Sequence, residues 1–316
     1  MPAWNAPPTS PGTQRNSTAL GPLGHDAASV NPIADGVSDA TMIKEYYMRH
    51  LADVRDERPR TALLLAAGMG SRLAPLTDST AKCLVGLSGV SILERLIRTL
   101  SSYGFTRLVV VVGHESESIQ DYLGDHSGDI QISYITSSRY RTTNNIYSLW
   151  LARKVIDEPF LLIESDLVFN ETLLEGMLKA DRIAVSRQLP WMNGTTVTLD
   201  GRTGISAFCL GEMSRPDATH YKTVNIYSFS KATWRAICAR LDTYIAAKRT
   251  GDYYESVFAE MVADGSMTLT PVLFDADSWY EIDTLADLTA AELVFPRYSA
   301  TLRGETPGDV AAGAAG

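Results

Sequence analysis

The chain has 316 residues with ordinary globular proportions, 45% apolar and 21% charged, so it can bury a large core. Its net charge of −9 argues against a general nucleic-acid binder, which needs a basic face, and no apolar stretch reaches the length of a bilayer crossing. Three widely spaced cysteines, Cys83, Cys209 and Cys238, form neither a disulfide framework nor a metal motif; residues 1–10 lack a basic segment followed by an apolar one, so a cytoplasmic setting is expected.

Residues 1–37 are rich in Pro, Gly, Ser, Asn and Thr with little to bury, the composition of a disordered tail. Residues 38–57 read as a helix capped at Ser38-Asp39-Ala40-Thr41, with Ile43, Tyr46, Tyr47 and Leu51 as an apolar stripe suited to packing on the domain or on a second copy in a homodimer. The folded unit is expected over residues 58–297, and residues 298–316 thin again to a Gly, Ala and Thr tail. Inside the unit, a strand at 61–67 is followed by a helix at 91–103 with Ile92, Leu93, Leu96, Ile97 and Leu100 on one face. A strand at 108–112, a polar helix at 116–123, strands at 130–135 and 160–163, and an intervening helix at 145–153 complete a nucleotide-binding half of about 58–181. Such alternation is the pattern of a doubly wound α/β layer. The second half, about 182–297, is expected to bind the acceptor. In it, strands at 195–199 and 205–210 flank an Asp200-Gly201 turn, and 223–229 lies alongside. Helices at 232–248 and 253–264 then lead to a strand at 269–274, so the two halves share one mixed sheet.

Residues 65–72 read Leu-Ala-Ala-Gly-Met-Gly-Ser-Arg at the end of the first strand. Gly68 and Gly70 carry no Cβ, so backbone N–H groups can approach an anion, while Arg72 and Lys82 add fixed and mobile positive charge suited to a triphosphate. A third glycine and a Gly-Lys-Ser/Thr run are both missing, so neither the dinucleotide fingerprint nor the P-loop fits. A bare Gly-x-Gly also occurs as a structural turn, but a turn needs neither cation. Two strands end in acids: 160–166 closes on Glu164-Ser165-Asp166, and 279–283 closes on Asp283. Ligands of open α/β sheets lie beyond strand carboxyl ends, and paired carboxylates suit Mg²⁺. Each acid has a plainer reading as a helix cap, Asp166 for a helix near Asn170 and Asp283 for the helical pattern over 285–295.

The glycine segment, with Pro75-Leu76-Thr77 and Lys82-Cys83-Leu84, resembles the signature of sugar-nucleotide and choline-phosphate nucleotidylyltransferases. Asn144-Asn145-Ile146-Tyr147-Ser148 is similar to the Asn-Asn-x-Tyr-Ser stretch of bacterial-type choline-phosphate cytidylyltransferases, and Glu164-Ser165-Asp166 and Tyr280-Glu281-Ile282-Asp283 match that family's two metal-binding acids. The similarity spans about 61–288. It implies an α/β, Rossmann-like mixed sheet flanked by helices, the nucleotide-diphospho-sugar transferase fold. It further implies Mg²⁺ on Asp166 and Asp283, with Arg72 and Lys82 on the phosphates of CTP, these four forming the catalytic set. Leu65, Ala66, Ala67, Gly68, Met69 and Gly70 would surround the nucleotide, Thr143, Asn144, Asn145 and Ser148 would read the cytosine with Glu164 on the same side, and Gly113 would let the base approach the backbone. Without the resemblance, Asn144 and Asn145 read equally well as helix caps.

For the acceptor, Tyr221-Lys222-Thr223-Val224-Asn225-Ile226-Tyr227 resembles the Lys-Thr-Val-Asn-Ile-Tyr stretch of phosphonate cytidylyltransferases, and Tyr253-Tyr254-Glu255 is similar to that subgroup too. Lys222 suits an anionic acceptor, with Arg139, Arg141 and Arg187 as candidate helpers. Trp191, Trp150, Trp279 and Tyr280 are candidates for an aromatic cage around a quaternary ammonium. The expected acceptor set is therefore Lys222, Arg139, Trp191 and Tyr280. The expected reaction is CMP transfer from CTP to a small phosphonate, such as 2-aminoethylphosphonate, 2-hydroxyethylphosphonate or phosphonoformate, with release of pyrophosphate. Choline phosphate or a sugar phosphate is the alternative acceptor. A non-catalytic nucleotide-binding relative is the reading from another class, and it has no need of both acids.

Overall fold

Six consecutive buried residues, Thr-Ala-Leu-Leu-Leu-Ala, make β1 (Thr61–Ala66) a strand covered on both faces, the place a near-continuous apolar run takes in a parallel sheet. The computed structural model describes residues 58–190, 192–201, 204–211 and 218–295, which belong to one compact unit. The expected tail 1–37, the expected helix 38–57, Trp191 and the expected tail 298–316 lie outside the described residues.

After β1 come β2 (Gly86–Leu87), β3 (Val90–Ser91), α1 (Ile92–Ser102), β4 (Arg107–Val112), α2 (Ser116–Leu123), β5 (His126–Ser127), β6 (Ile130–Thr136) and α3 (Asn145–Ala152). The chain continues through β7 (Phe160–Glu164), β8 (Leu167–Phe169), β9 (Arg182–Arg187), β10 (Thr196–Leu199), β11 (Ile205–Cys209), β12 (Tyr221–Phe229), α4 (Lys231–Ala246), α5 (Tyr254–Ala263), β13 (Thr270–Phe274), β14 (Trp279–Glu281) and α6 (Leu285–Val294). Ten strands form one sheet in the order β11-β10-β12-β7-β1-β4-β6-β5, with β9 also beside β12 and β13 beside β9. Neighbours β7, β1, β4 and β6 are parallel and β12 runs against β7, so the sheet is mixed, as the sequence leads one to expect.

Alternation along β1 sends Leu63 and Leu65 into one core, with α3, α4 and α5, and Ala62, Leu64 and Ala66 into the other, with α1 and α2. The sheet is thus a floor with helices above and below, and its strand tips are the surface left for chemistry. Two features of the second half shape that surface. At its C-terminal end β12 pairs with β7 (Tyr227 with Leu162), while at its start the same edge pairs with β10 (Thr196 with Lys222). Between the two pairings sits Asn225 at φ +60°, a left-handed position that Asn tolerates better than most residues, and the ladder with β9 shifts register there. The edge of β12 therefore opens beside the tip of β7.

The second feature is a two-stranded antiparallel ribbon, β8 with β14, separate from the main sheet. It pairs Leu167 with Glu281. Where the sequence pattern suggests a helix near Asn170, the chain forms a 3-10 segment over Glu171–Met177. Neither β8 nor β9 stands out from sequence, because Leu167–Phe169 is three residues long and Arg182–Arg187 holds only Ile183, Ala184 and Val185 as an apolar run.

Candidate active site

The strand tips surround a cavity of about 1290 Å³, lined from one side by the glycine segment and from the other by β12, α5 and the ribbon. Gly70 has φ +61°, and a Cβ there would lie 3.2 Å from Lys82 Cβ and from Thr77 Cγ2. Glycine is needed on both counts. Thr77 Oγ1 donates to Gly70 O at 2.8 Å, which ties the turn to the loop that leads to Lys82. A 3-10 turn over Ser71–Leu73 then carries Arg72, and another over Lys82–Leu84 begins with Lys82.

The ribbon brings the two acids together. Asp166 lies just before β8 and Asp283 two residues after β14, and the Ile282 N–H donates to Asp166 O at 2.9 Å. Neither aspartate caps a helix. Asn170 caps the 3-10 segment, accepting from Thr172 N at 3.1 Å, and Thr284 caps α6 in a capping box with Asp287. Asp287 Oδ2 accepts from Asp283 N at 3.2 Å, Thr284 N at 2.7 Å and Thr284 Oγ1 at 2.8 Å, so the cap also holds the backbone that aims Asp283. A third small core of Leu73, Leu87, Ile92, Val168, Ile282 and Ala291 sits beneath, and places the immediate neighbours of Arg72 and Asp283 in contact.

Lys82 Nζ lies 2.7 Å from both Asp166 Oδ2 and Asp283 Oδ1, and Arg72 Nη2 reaches Asp283 Oδ1 at 2.8 Å. Burial by itself lowers the Lys82 pKa, but the Asp166 and Asp283 carboxylates outweigh it and hold the ammonium above its ordinary value. The other oxygen of Asp166, Oδ1, is buried with no hydrogen-bond partner. Asp166, Glu281 and Asp283 each offer an oxygen within 4.8 Å of the others, a hard-donor cluster of the kind that suits Mg²⁺. Glu281 is the member that the strand-tip argument does not single out.

Deeper in the cavity, Lys222 is buried and its Nζ contacts Glu281 Oε2 at 3.2 Å and Thr223 O at 2.9 Å. Glu164, at the tip of β7, accepts from Asn145 Nδ2 at 3.0 Å, while Asn145 Oδ1 accepts from the Tyr254 N–H at 3.0 Å. Asn145 thus pins the start of α5, and with it Glu255, to the end of β7. Burial first, then the neighbouring carboxylates, push Glu164 above the usual range; burial likewise raises Glu255 and Glu281, against the pull of Lys222.

Residues 61–186 match the family described as Nucleotidyl transferase. The chain is 29% identical over 252 residues to CMP-5'-(3-aminopropyl)phosphonate synthase of Streptomyces rubellomurinus, covering 76% of this chain but 39% of that longer protein. It is 26% identical over 239 residues to 2-aminoethylphosphonate cytidylyltransferase of Lancefieldella rimae, covering 72% of this chain and 90% of that one. The solved CTP:phosphocholine cytidylyltransferase of Streptococcus pneumoniae shares the fold, with a TM-score of 0.65 at 20% identity over 75% of this chain and 99% of that one.

Residues 61–186 are thus a nucleotidyl transferase domain. Of the residues expected in its site, Arg72, Lys82, Asp166 and Asp283 meet at one point of the cavity wall. Leu65, Ala67, Gly68, Met69, Gly70, Thr143, Asn144, Asn145, Ser148 and Glu164 line the same cavity, as do Lys222 and Tyr280. Three others do not. Ala66 faces the lower core. Gly113 is part-buried, and a Cβ there would meet Ala67 O at 2.7 Å and Tyr140 Cβ at 2.8 Å, so its small size serves packing beside the glycine segment. Arg139 lies over the Tyr147 ring, 5.1 Å from its centroid, away from the cavity.

Among the candidate cage aromatics, Trp279 and Tyr280 line the cavity. Trp150 is turned elsewhere, donating from Nε1 to Asp242 at 2.7 Å with the Arg153 guanidinium 3.6 Å above its ring. Asn144 does cap α3, its Oδ1 accepting from the Asn145 N–H at 2.8 Å. Arg141 lies over Tyr140 and does not line the cavity. No helix among the described residues is long and apolar enough to cross a membrane.

Proposed function

We propose that this nucleotidyltransferase transfers CMP from CTP to a small phosphonate and releases pyrophosphate. The observation that carries the reading is the meeting of Lys82 and Arg72 with Asp166 and Asp283 on the wall of a cavity that also presents a buried lysine, Lys222, paired with the neighbouring Glu281. Three cations around one acid cluster suit a reaction in which two anions, a triphosphate and a phosphonate, are brought together. The named activities of the Streptomyces and Lancefieldella relatives support both the cytidine nucleotide and the phosphonate.

In the proposed step a phosphonate oxygen attacks the α-phosphorus of CTP. One P–O bond forms, the bond from the α-phosphorus to the bridging oxygen of the β-phosphate breaks, and the electron pair leaves with pyrophosphate. The phosphonate already carries a nucleophilic oxygen at neutral pH, so no general base or covalent residue is required. Asp166, Asp283 and Glu281 would hold Mg²⁺, which supplies charge neutralisation to the crowded phosphate oxygens. The orphaned Asp166 Oδ1 fits that role, since a buried carboxylate oxygen without a partner is costly unless a ligand meets it. Lys82 moves from its two aspartates onto the triphosphate, Arg72 anchors the outer phosphates, and Gly68 and Gly70 present backbone N–H groups. Thr143, Asn144 and Ser148 contact the cytosine edge.

The test is pyrophosphate release by the full chain with Mg²⁺ and CTP, UTP or ATP against 2-aminoethylphosphonate, 2-hydroxyethylphosphonate, phosphonoformate and choline phosphate. Release that requires CTP and a phosphonate supports the reading. Release with choline phosphate alone transfers the assignment to the phosphocholine branch. No release with any pair leaves a nucleotide-binding protein.

A further inference from the structure

Arg72 and Lys82 reach the aspartates from the two ends of one loop, and residues 73–81 between them have few anchors. Leu73 and Ala81 are buried at its ends, and Thr77 is the single buried residue in its middle, with exposed residues on both sides. Thr77 is tied twice. Its Oγ1 donates to Gly70 O at 2.8 Å, and its own carbonyl lies 3.2 Å from His114 Nε2. A carbonyl oxygen only accepts, so Nε2 is the ring nitrogen that carries hydrogen and donates. Among the described residues, this is the one hydrogen bond that joins residues 73–81 to chain outside 70–84.

His114 has a second hold on the same region. Its backbone N–H donates to Ala67 O at 3.2 Å, beside Gly113, where a Cβ would lie 2.7 Å from that same oxygen. Glu115 follows at φ +50°, a left-handed conformation that a non-glycine residue adopts only at a cost, and α2 begins directly after it. The tip of β4 is thereby docked on the end of β1. One residue closes a ring of contacts around the glycine turn: His114 N to Ala67 O, His114 Nε2 to Thr77 O, and Thr77 Oγ1 to Gly70 O.

That ring engages the carbonyls at both ends of the turn, Ala67 and Gly70. Neither His114 nor Thr77 lines the cavity. In a trans peptide the C=O and the following N–H point in opposite directions, so the Gly68 and Ser71 N–H groups face away from the ring of contacts. Gly68 and Ser71 do line the cavity, and among the described residues neither N–H takes part in a backbone hydrogen bond. Holding the carbonyls back turns the donors forward, toward an anion.

We propose that His114 is a positioning residue for the phosphates of the nucleotide: it staples both ends of the glycine turn and, through Thr77, sets the separation of Arg72 and Lys82. Contact with the ligand belongs to the turn and the two cations. The inference rests on the CMP-transfer reading for the identity of the nucleotide, and binding tests it without turnover.

The experiment measures calorimetric binding of Mg²⁺·CTP and of CMP, and the steady-state kcat and KM for CTP with 2-aminoethylphosphonate. It uses the full chain as wild type, His114→Ala, His114→Gln and His114→Asn. The amide nitrogen of Gln reaches the place of Nε2, whereas that of Asn reaches only the place of Nδ1. His114→Ala and His114→Asn are expected to weaken Mg²⁺·CTP and raise its KM by roughly tenfold, the scale of one hydrogen bond, with kcat within about threefold. CMP lacks the outer phosphates and is expected to lose no more than about threefold, while His114→Gln should bind CTP within about threefold of wild type. A merely loosened fold weakens both ligands alike and gives Gln no advantage over Asn. CTP binding by His114→Asn within about twofold of wild type, equal losses for CTP and CMP, or Gln no better than Asn overturns the staple. If His114→Ala does not fold, the Gln and Asn pair decides by itself. Should the wild type bind Mg²⁺·CTP but release no pyrophosphate, the transferase reading falls, and a selective loss of CTP in His114→Asn that His114→Gln restores still supports the staple. A wild type that binds neither CTP nor CMP overturns both.

Discussion

Replacing Lys82 with Met separates what that ammonium does for the fold from what it does for the reaction. Lys82 Nζ is 2.7 Å from two carboxylates, with side-chain exposures of 12% for the lysine, 13% for Asp166 and 20% for Asp283. Removing one partner of a well-buried ion pair costs about 3–5 kcal/mol. Here Arg72 remains on Asp283 and that carboxylate is part-exposed, so a loss of about 2–3 kcal/mol in metal-free buffer is the reasonable scale. The variant keeps both acids, and they are expected to take up a divalent cation in place of the lost ammonium. Thermal denaturation with and without Mg²⁺ should therefore show a lowered Tm that the metal largely restores. Turnover should not be restored, since no cation then reaches the transferring phosphate, and kcat should fall by about 10²–10³, the cost of one such donor. A Lys82→Met protein with kcat within threefold of wild type, or with a Tm deficit that Mg²⁺ leaves untouched, would refute the argument that one ammonium serves the acids at rest and the phosphate in reaction.

Asp287→Ala removes the acceptor of three hydrogen bonds at the Asp283-Thr284 turn, so the Mg²⁺ concentration for half-maximal activity should rise by about tenfold, with a cap loss of about 1 kcal/mol in stability; a change in Tm with no change in metal dependence would contradict this. Gly70→Ala forces a Cβ toward Lys82 and Thr77 at φ +61°, which should cost about 1–2 kcal/mol and raise the KM for CTP, as steady-state kinetics would show. Arg139→Ala should leave kcat/KM for both substrates within about twofold, because its guanidinium rests on Tyr147 outside the cavity; a tenfold loss would return it to the acceptor site. Glu164 and Glu255 have folded-state pKa values raised above the ordinary carboxyl value of 4.5, by burial first. Their contribution to stability is then full below that value and lost as pH rises through the raised values, so the metal-free Tm should fall from about pH 5 to pH 8. Glu255→Gln should flatten that slope, and an unchanged slope would contradict the assignment.

The parts of the site that sequence reveals are those carried by short contiguous runs. The glycine turn after β1 is visible because its glycines and cations lie within one segment, and Asp166 and Asp283 are visible because each follows an apolar strand. What joins them is not visible. The β8–β14 ribbon pairs Leu167 with Glu281, more than a hundred residues apart and over only three residues a side, so neither partner has a period to read. Glu281 escapes for the same reason: it becomes a neighbour of the two aspartates only when the ribbon forms. Glu255 sits in a helical pattern where a single acid normally signals solvent, and its burial depends on Asn145 reaching across from α3. Gly113 and Arg139 fail in the opposite direction. Both lie in sequence close to residues of the cavity, but neither lines it: Gly113 packs against Tyr140, and the Arg139 guanidinium lies over Tyr147.

Phosphorus-31 NMR of the full reaction tests the central claim most directly. With Mg²⁺, CTP and 2-aminoethylphosphonate, the account predicts a pair of mutually coupled resonances, one phosphonyl and one phosphoryl, that grow in step with pyrophosphate and vanish in Asp166→Asn. Growth of CMP and pyrophosphate without the coupled pair, or full activity in Asp166→Asn, would contradict it.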